Sequence, residues 1–109
     1  MQYLVMMETM EEKVPTTPQE LANHGERVIA SQEVMIELKK GGKVLAGGVP
    51  VGRKAIVAIV EAESNDELSE VLMRIPLHSI SDVDVVPLAS HESVVRAIRR
   101  EFEHRKASA

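Results

Sequence analysis

The run Glu61-Ala62-Glu63-Ser64-Asn65-Asp66-Glu67-Leu68-Ser69-Glu70-Val71-Leu72-Met73-Arg74-Ile75-Pro76-Leu77 reads as the end of a strand, a helix cap, a short amphipathic helix and a proline stop. Ser64 and Glu67 stand three apart, the spacing of a capping box. Pro76 disfavours helical backbone at the residue before it, so the helix must end first. A crossover of this kind needs a strand on each side. Ala55 to Val60 is continuously apolar and reads as the strand before it; Asp82 to Val86 alternates Asp-Val-Asp-Val and reads as the strand after it.

Working outward, Gln2 to Glu8 is apolar almost throughout and reads as a first strand, buried on both faces. Glu11 to Thr17 is a mostly polar connection. Thr17-Pro18 joins a capping hydroxyl to a proline at the first helical position, which predicts a helix start. That helix runs to about Lys40, where Gly41-Gly42 stop it and Lys39 and Lys40 suit its negative end. Lys43 to Ala46 makes a second strand, and Gly47 to Lys54 a Gly- and Pro-rich reversal. Ser90 can cap a last helix, placed at about residues 90–106 and regular to about His104 before a short frayed tail. The predicted fold class is therefore α+β: a ferredoxin-like β-α-β-β-α-β core over about residues 1–89 with an additional C-terminal helix, one domain over 1–109.

This topology puts the first and third strands in the middle of the sheet. Leu4, Met6, Ile56, Ala58 and Val60 fall on even positions; Tyr3, Val5, Met7, Val57 and Ile59 fall on odd ones. Both sets are apolar, yet right-handed crossovers place both helices on one side of the sheet. The other face needs a cover. The expected cover is a second copy, sheet against sheet, in a dimeric α+β barrel, with the C-terminal helix shielding part of that face or reaching a neighbour. A homo-oligomer, a dimer or a multiple of dimers, is predicted.

Composition narrows the function classes. There are one Tyr, one Phe and no Trp, so stacking platforms for single-stranded nucleic acid are missing. The net charge of −4 provides no basic field for phosphate backbones, and the arginines near the C-terminus are interleaved with Glu92, Glu101 and Glu103. No cysteine is present, which removes disulfides, thiol chemistry and Cys-based zinc sites. His24, His78, His91 and His104 lack metal-ligand spacing. Met1 leads into a strand-like segment with no leader pattern, and no apolar run approaches the ~20 residues that span a bilayer. The expectation is a soluble cytoplasmic protein with no metal, no cofactor, no nucleic-acid partner and no membrane association.

On the first helix, Leu21, Val28, Met35 and Leu38 form an apolar stripe in steps of three and four, and His24 and Ser31 fall on that stripe. One reading is a polar pocket between helix and sheet, with His24 carrying a proton near neutral pH and Ser31 donating a hydrogen bond. The other is that His24 lies on a half-exposed early turn and Ser31 bonds back to a carbonyl one turn earlier. The reversal Gly47-Gly48-Val49-Pro50-Val51-Gly52-Arg53-Lys54 resembles a phosphate loop only in part, because it leads into a strand and not a helix. Arg53 and Lys54 can still meet an anionic ligand at the entrance to the third strand. His78 reads as a loop residue feeding the fourth strand. Asp82 and Asp84 share one face of an edge strand and read as solvent-facing, or as a guard against edge pairing.

The chain resembles the muconolactone isomerase family. The resemblance runs without a gap from about Glu37 to His91 and is strongest in Glu63-Ser64-Asn65-Asp66-Glu67-Leu68. It also includes Glu37, Leu38, Gly42 and Lys43; Gly52, Arg53 and Ala55; Val57 to Glu61; and Leu72, Pro76-Leu77, Asp82, Val85 and Pro87-Leu88-Ala89. Ser93 to Ala109 is longer than the family's ending. The resemblance implies the dimeric ferredoxin-like fold and a cofactor-free intramolecular isomerase that moves a proton in a lactone. It also implies a carboxylate on the pocket side of the first helix, and this chain carries Ser31 at that position. Glu26 or Glu33 could take the role only with the helix rotated or its register shifted. Three readings follow. In the first, an isomerase-like oligomer binds a small carbonyl or lactone-type compound without the family's carboxylate. In the second, an active lactone isomerase of an aromatic-degradation pathway uses His24, Glu26 or Glu33 as acid and base, with Tyr3, Val28, Ser31, Arg53 and His78 lining its pocket. In the third, the chain is a non-catalytic assembly module.

Overall fold

The computed structural model describes residues 1–108. Four strands, β1 (Gln2–Thr9), β2 (Val44–Gly48), β3 (Ala55–Glu61) and β4 (Ser81–Leu88), form one antiparallel sheet in the order β2-β3-β1-β4. Three α-helices, α1 (Pro18–Lys40), α2 (Asn65–Met73) and α3 (His91–Ser108), complete the chain with two 3-10 segments at Glu11–Lys13 and Pro76–Ile80. The split βαβ plan and its central pair β1 and β3 are as the sequence predicts.

Both crossover helices begin in the same way. The Thr17 hydroxyl accepts the Glu20 N–H at 3.1 Å, and the Ser64 hydroxyl accepts the Glu67 N–H at 3.1 Å. In each case the glutamate reaches back one residue beyond the cap. Glu20 Oε2 accepts the Thr16 N–H at 2.9 Å, and Glu67 Oε2 accepts the Glu63 N–H at 3.0 Å. The Thr16 N–H and hydroxyl hold the Glu20 carboxyl below the usual carboxylate range. The Lys43 ammonium, with the Glu63 N–H, does the same for Glu67 and is itself held above the usual lysine range. This Lys43–Glu67 ion pair ties the entry of β2 to the start of α2. At its other end α1 closes in a Schellman motif: Gly42, at φ +79°, donates to the Lys39 carbonyl while the Lys43 N–H donates to the Leu38 carbonyl.

The antiparallel register crosses the two sequence parities. Tyr3 pairs with Val60, Val5 with Ala58 and Met7 with Ile56, and these six buried residues form the helix side of the central pair. Leu4 pairs with Ile59 and Met6 with Val57, and these form the outer side. Leu38 of α1 and Leu68, Val71 and Leu72 of α2 close the helix side, with Ile75 and Leu77 beneath them. Packing there leaves a void of only about 10 Å³. On the outer side Leu4, Val86 and Leu88 are exposed and Met6, Val57 and Ile59 half-buried; among the described residues no helix packs against them.

Several sequence expectations need correction. Leu21 is 63% exposed, because the first turns of α1 carry no buried residue and its buried positions are Ser31 and Leu38. The final helix continues to Ser108, where a frayed tail was expected. Strand β2 extends through Gly48 on the far side of a register shift between Val44 and Ala46.

Candidate functional site

Three segments meet around one end of α1. His24, Val28 and Gln32 follow at intervals of four and therefore share a helix face. The turn after β2 supplies Val49, Arg53 and Lys54. Thr9, Ala55, Ile56 and Leu77 form the wall and floor. Together they enclose a cleft of about 280 Å³, close to the lower limit for small-molecule sites. Its floor is apolar and its polar side chains are one imidazole, one amide, one hydroxyl and two cations.

Backbone and side-chain bonds hold the turn in place. The Thr9 N–H donates to the Lys54 carbonyl at 2.9 Å, so the end of β1 clamps the turn. Arg53 Nε and Nη2 donate to Glu8 Oε2 at 3.0 and 2.6 Å. Gly52 adopts φ +82°, and the Arg53 N–H closes onto the Pro50 carbonyl at 3.2 Å. The guanidinium is therefore positioned at the rim of the cleft while still half exposed.

The residues proposed from sequence divide into two groups. His24, Val28 and Arg53 come together in the cleft. Ser31 does not enter it: fully buried, its hydroxyl accepts the Leu77 N–H at 3.0 Å and joins α1 to the 3-10 segment. It is neither a donor into a pocket nor bonded back along its own helix. Tyr3 lies in the core elsewhere, its hydroxyl donating to Asn65 Oδ1 at 3.0 Å. His78 is half-buried on the 3-10 segment, and its neighbour Leu77 is the residue that lines the cleft. Glu26 is exposed, and Glu33 faces a separate depression with Glu37 and Arg74.

No carboxylate lines the cleft among the described residues. The nearest by bonding is Glu8, held on Arg53. Glu12 and Glu20 border an adjoining, more open depression that shares His24. Sequence reasoning missed Gln32 and Glu8. Gln32 could have been found from its four-residue step after Val28; the Glu8–Arg53 contact spans 45 residues of chain and has no local signal.

The family model described as muconolactone delta-isomerase matches residues 1–94. A muconolactone delta-isomerase of Rhodococcus opacus is 35% identical over 60 residues, which cover 55% of this chain and 64% of that protein, just under two thirds of its length. A crystal structure of muconolactone isomerase superposes with a TM-score of 0.69 at 24% identity, covering 84% of this chain and 91% of the other. The 5-chloro-2-hydroxyhydroquinone dehydrochlorinase of Burkholderia phenoliruptrix, solved with 2,5-dihydroxybenzoquinone, superposes with a TM-score of 0.62 at 19% identity, covering 85% and 98%. At these identities the two structures speak for the fold. Most of α3 lies beyond the family match.

Proposed function

This chain belongs to the muconolactone delta-isomerase family, and we propose that its cleft binds a small anionic carbonyl or lactone-type compound and moves a proton on it through His24, without a carboxylate base. What supports this is the lining: His24, Gln32, Arg53 and Lys54 above an apolar floor, with no acid among them. Lys54, and Arg53 through the guanidinium edge that Glu8 leaves free, attract a carboxylate on the ligand. The apolar floor of Val28, Ala55, Ile56 and Leu77 takes the ring.

In this reading the imidazole of His24 removes a proton from carbon beside the carbonyl. The electron pair moves into the carbonyl to give an enolate, whose oxygen is stabilised by Gln32 N–H and the neighbouring cations. The imidazolium returns the proton to another carbon of the same conjugated system. Atoms and charge are unchanged overall, so no cofactor is needed. Imidazole suits the step because it can carry the proton near neutral pH.

Muconolactone itself is the first compound to test, by absorbance during turnover and by titration calorimetry. His24→Gln is expected to lower kcat about a hundredfold or more. Arg53→Ala should raise KM with a smaller effect on kcat, while Glu26→Gln and Glu33→Gln stay near the parent rate. The proposal is wrong if His24→Gln turns over like the parent, or if either glutamate variant loses the activity.

The uncovered outer face of the sheet supports a further part of the proposal. Leu4, Met6, Val57, Ile59, Val86 and Leu88 make an apolar surface too extensive for scattered exposure, and a second copy is its natural cover. We place the protein in the cytoplasm as a homo-oligomer; no helix is long and apolar enough to cross a membrane among the described residues.

A further inference from the structure

The face of α1 that enters the cleft does not end there. His24, Val28 and Gln32 are followed, after the same four-residue step, by Ile36, so one ridge of the helix runs on past the cleft. Beyond Gln32 that ridge faces β2. Met35, Ile36 and Lys39 stand on one side and Val44 and Gly47 on the other, around a second compartment of about 180 Å³. Gln32 and Ile56 line both spaces, so the two adjoin at these residues. At 1.5 Å per residue, Gln32 to Lys39 covers about 10 Å of helix, the reach of the second compartment along α1.

Gly47 is the reason that β2 does not fill this space. It pairs with Ala58, whose buried side chain lies on the helix side of the sheet, but Gly47 itself carries none. None can be added: at φ +154° a Cβ would stand 2.3 Å from the Val57 carbonyl oxygen. A glycine inside a strand leaves bare backbone toward whatever lies against it. Behind the compartment the core is closed, because packing around Met35, Val44 and Ile56 leaves a void of only about 10 Å³. A group that enters from the cleft therefore lies lengthwise between helix and strand.

The walls indicate its chemistry. Met35, Ile36 and Val44 are apolar, Ile36 is 54% exposed, and Lys39 adds one cation on an aliphatic stem. The cleft, by contrast, gathers the imidazole, the amide and the two cations of the turn. Polar and apolar functions are thus separated along one ridge of α1. We propose that the ligand carries an alkyl chain, with its carbonyl and carboxylate in the cleft and the chain laid along α1 against Met35, Ile36 and Val44. The inference rests on the reading of the cleft as the ligand site and narrows the ligand to a carbonyl acid or lactone with an apolar tail. Ile36 then sets the preference for chain length.

Titration calorimetry with 4-oxopentanoate and 4-oxononanoate tests it, since both present a carboxylate and a ketone and they differ only in alkyl length. Each methylene taken out of water adds about fourfold in affinity, so 4-oxononanoate should bind at least about tenfold more tightly. Arg53→Ala should weaken both acids alike. Ile36→Glu, shown to be folded by circular dichroism, should remove most of the longer acid's advantage and leave 4-oxopentanoate unchanged, while Ile36→Leu keeps that advantage. If 4-oxononanoate binds no more tightly than 4-oxopentanoate, or keeps its advantage in Ile36→Glu, the chain does not lie between α1 and β2, and the proposal falls while the cleft reading stands. If neither acid binds, or if Arg53→Ala leaves both unaffected, the cleft reading and the proposal fall together.

Discussion

Ser31 is the residue where the chemistry of the resemblance and the physics of the fold meet. Its hydroxyl occupies the helix position at which the resemblance implies an acid, and it accepts the Leu77 N–H at 3.0 Å in a fully buried setting. Where the resemblance implies a carboxylate facing a pocket, this chain has a clamp between α1 and the segment that leads into β4. Ser31→Ala would leave that N–H buried without a partner, at a cost of about 1–3 kcal/mol. Urea unfolding should show that loss in the midpoint with an unchanged slope. Binding in the cleft should survive, because Ser31 is not among its lining residues. Unchanged stability would show that water or a rearranged turn satisfies Leu77 instead. The sequence made Ser31 conspicuous as a polar residue on an apolar stripe. It could not show the partner, which lies 46 residues away. His24 was legible as a candidate for the complementary reason: an imidazole on an apolar stripe stands out without a distant partner, and the structure places it in the cleft.

At the scale of the elements, legibility follows the range of the interaction. The caps at Thr17 and Ser64, the Schellman stop at Gly42 and the break before Pro76 depend on neighbours within a few residues, and all can be read along the chain. The far end of strand β2, Gly47-Gly48, could not be, because its course depends on β3. Between Val44 and Ala46 the register shifts, and Gly47 then adopts φ +154° pressed against its neighbour. A Cβ at Gly47 would stand 2.3 Å from the Val57 carbonyl oxygen and 2.8 Å from the Ala58 Cα, both backbone atoms that cannot swing away. Read by composition, Gly47 and Gly48 belong to a turn; in the fold they are the end of an edge strand paired with Ala58 and Val57 of β3. Gly47→Ala should therefore cost about 2–4 kcal/mol, combining an unfavourable φ with overpacking. Thermal unfolding would report it as a lowered Tm. Because β2 leads into the turn that carries Arg53 and Lys54, ligand affinity should fall with it. Gly48→Ala, with open space around its Cβ position, is the control and should be close to neutral.

The whole molecule presents two uncovered apolar surfaces, the outer sheet face and the stripe of Val95, Ile98 and Phe102 on α3. The first was foreseeable, because both parities of β1 and β3 are apolar while two crossovers cover only one side. Which residues share the outer face was not, since that depends on the register pairing Leu4 with Ile59 and Met6 with Val57. The second depends on α3 having no buried residue, which no local pattern reveals. If both surfaces are covered by a second copy, association and folding are linked, and stability must depend on concentration. The unfolded state is then favoured by dilution, because each assembled unit releases more than one chain. For a dimer, a hundredfold increase in concentration stabilises the assembled state by about 2.7 kcal/mol, which corresponds to roughly 5–10 °C in Tm. Calorimetry across that range should show the intact chain's Tm rising by this amount. A chain cut after Ser90 should show a shallower rise, since it retains the sheet face and loses the exposed stripe of α3. A Tm that stays flat with concentration would mean that Leu4, Val86 and Leu88 remain in water in the native state. The fold would then be stable on the helix side of its sheet alone, and the apolar outer face would need some purpose other than self-association.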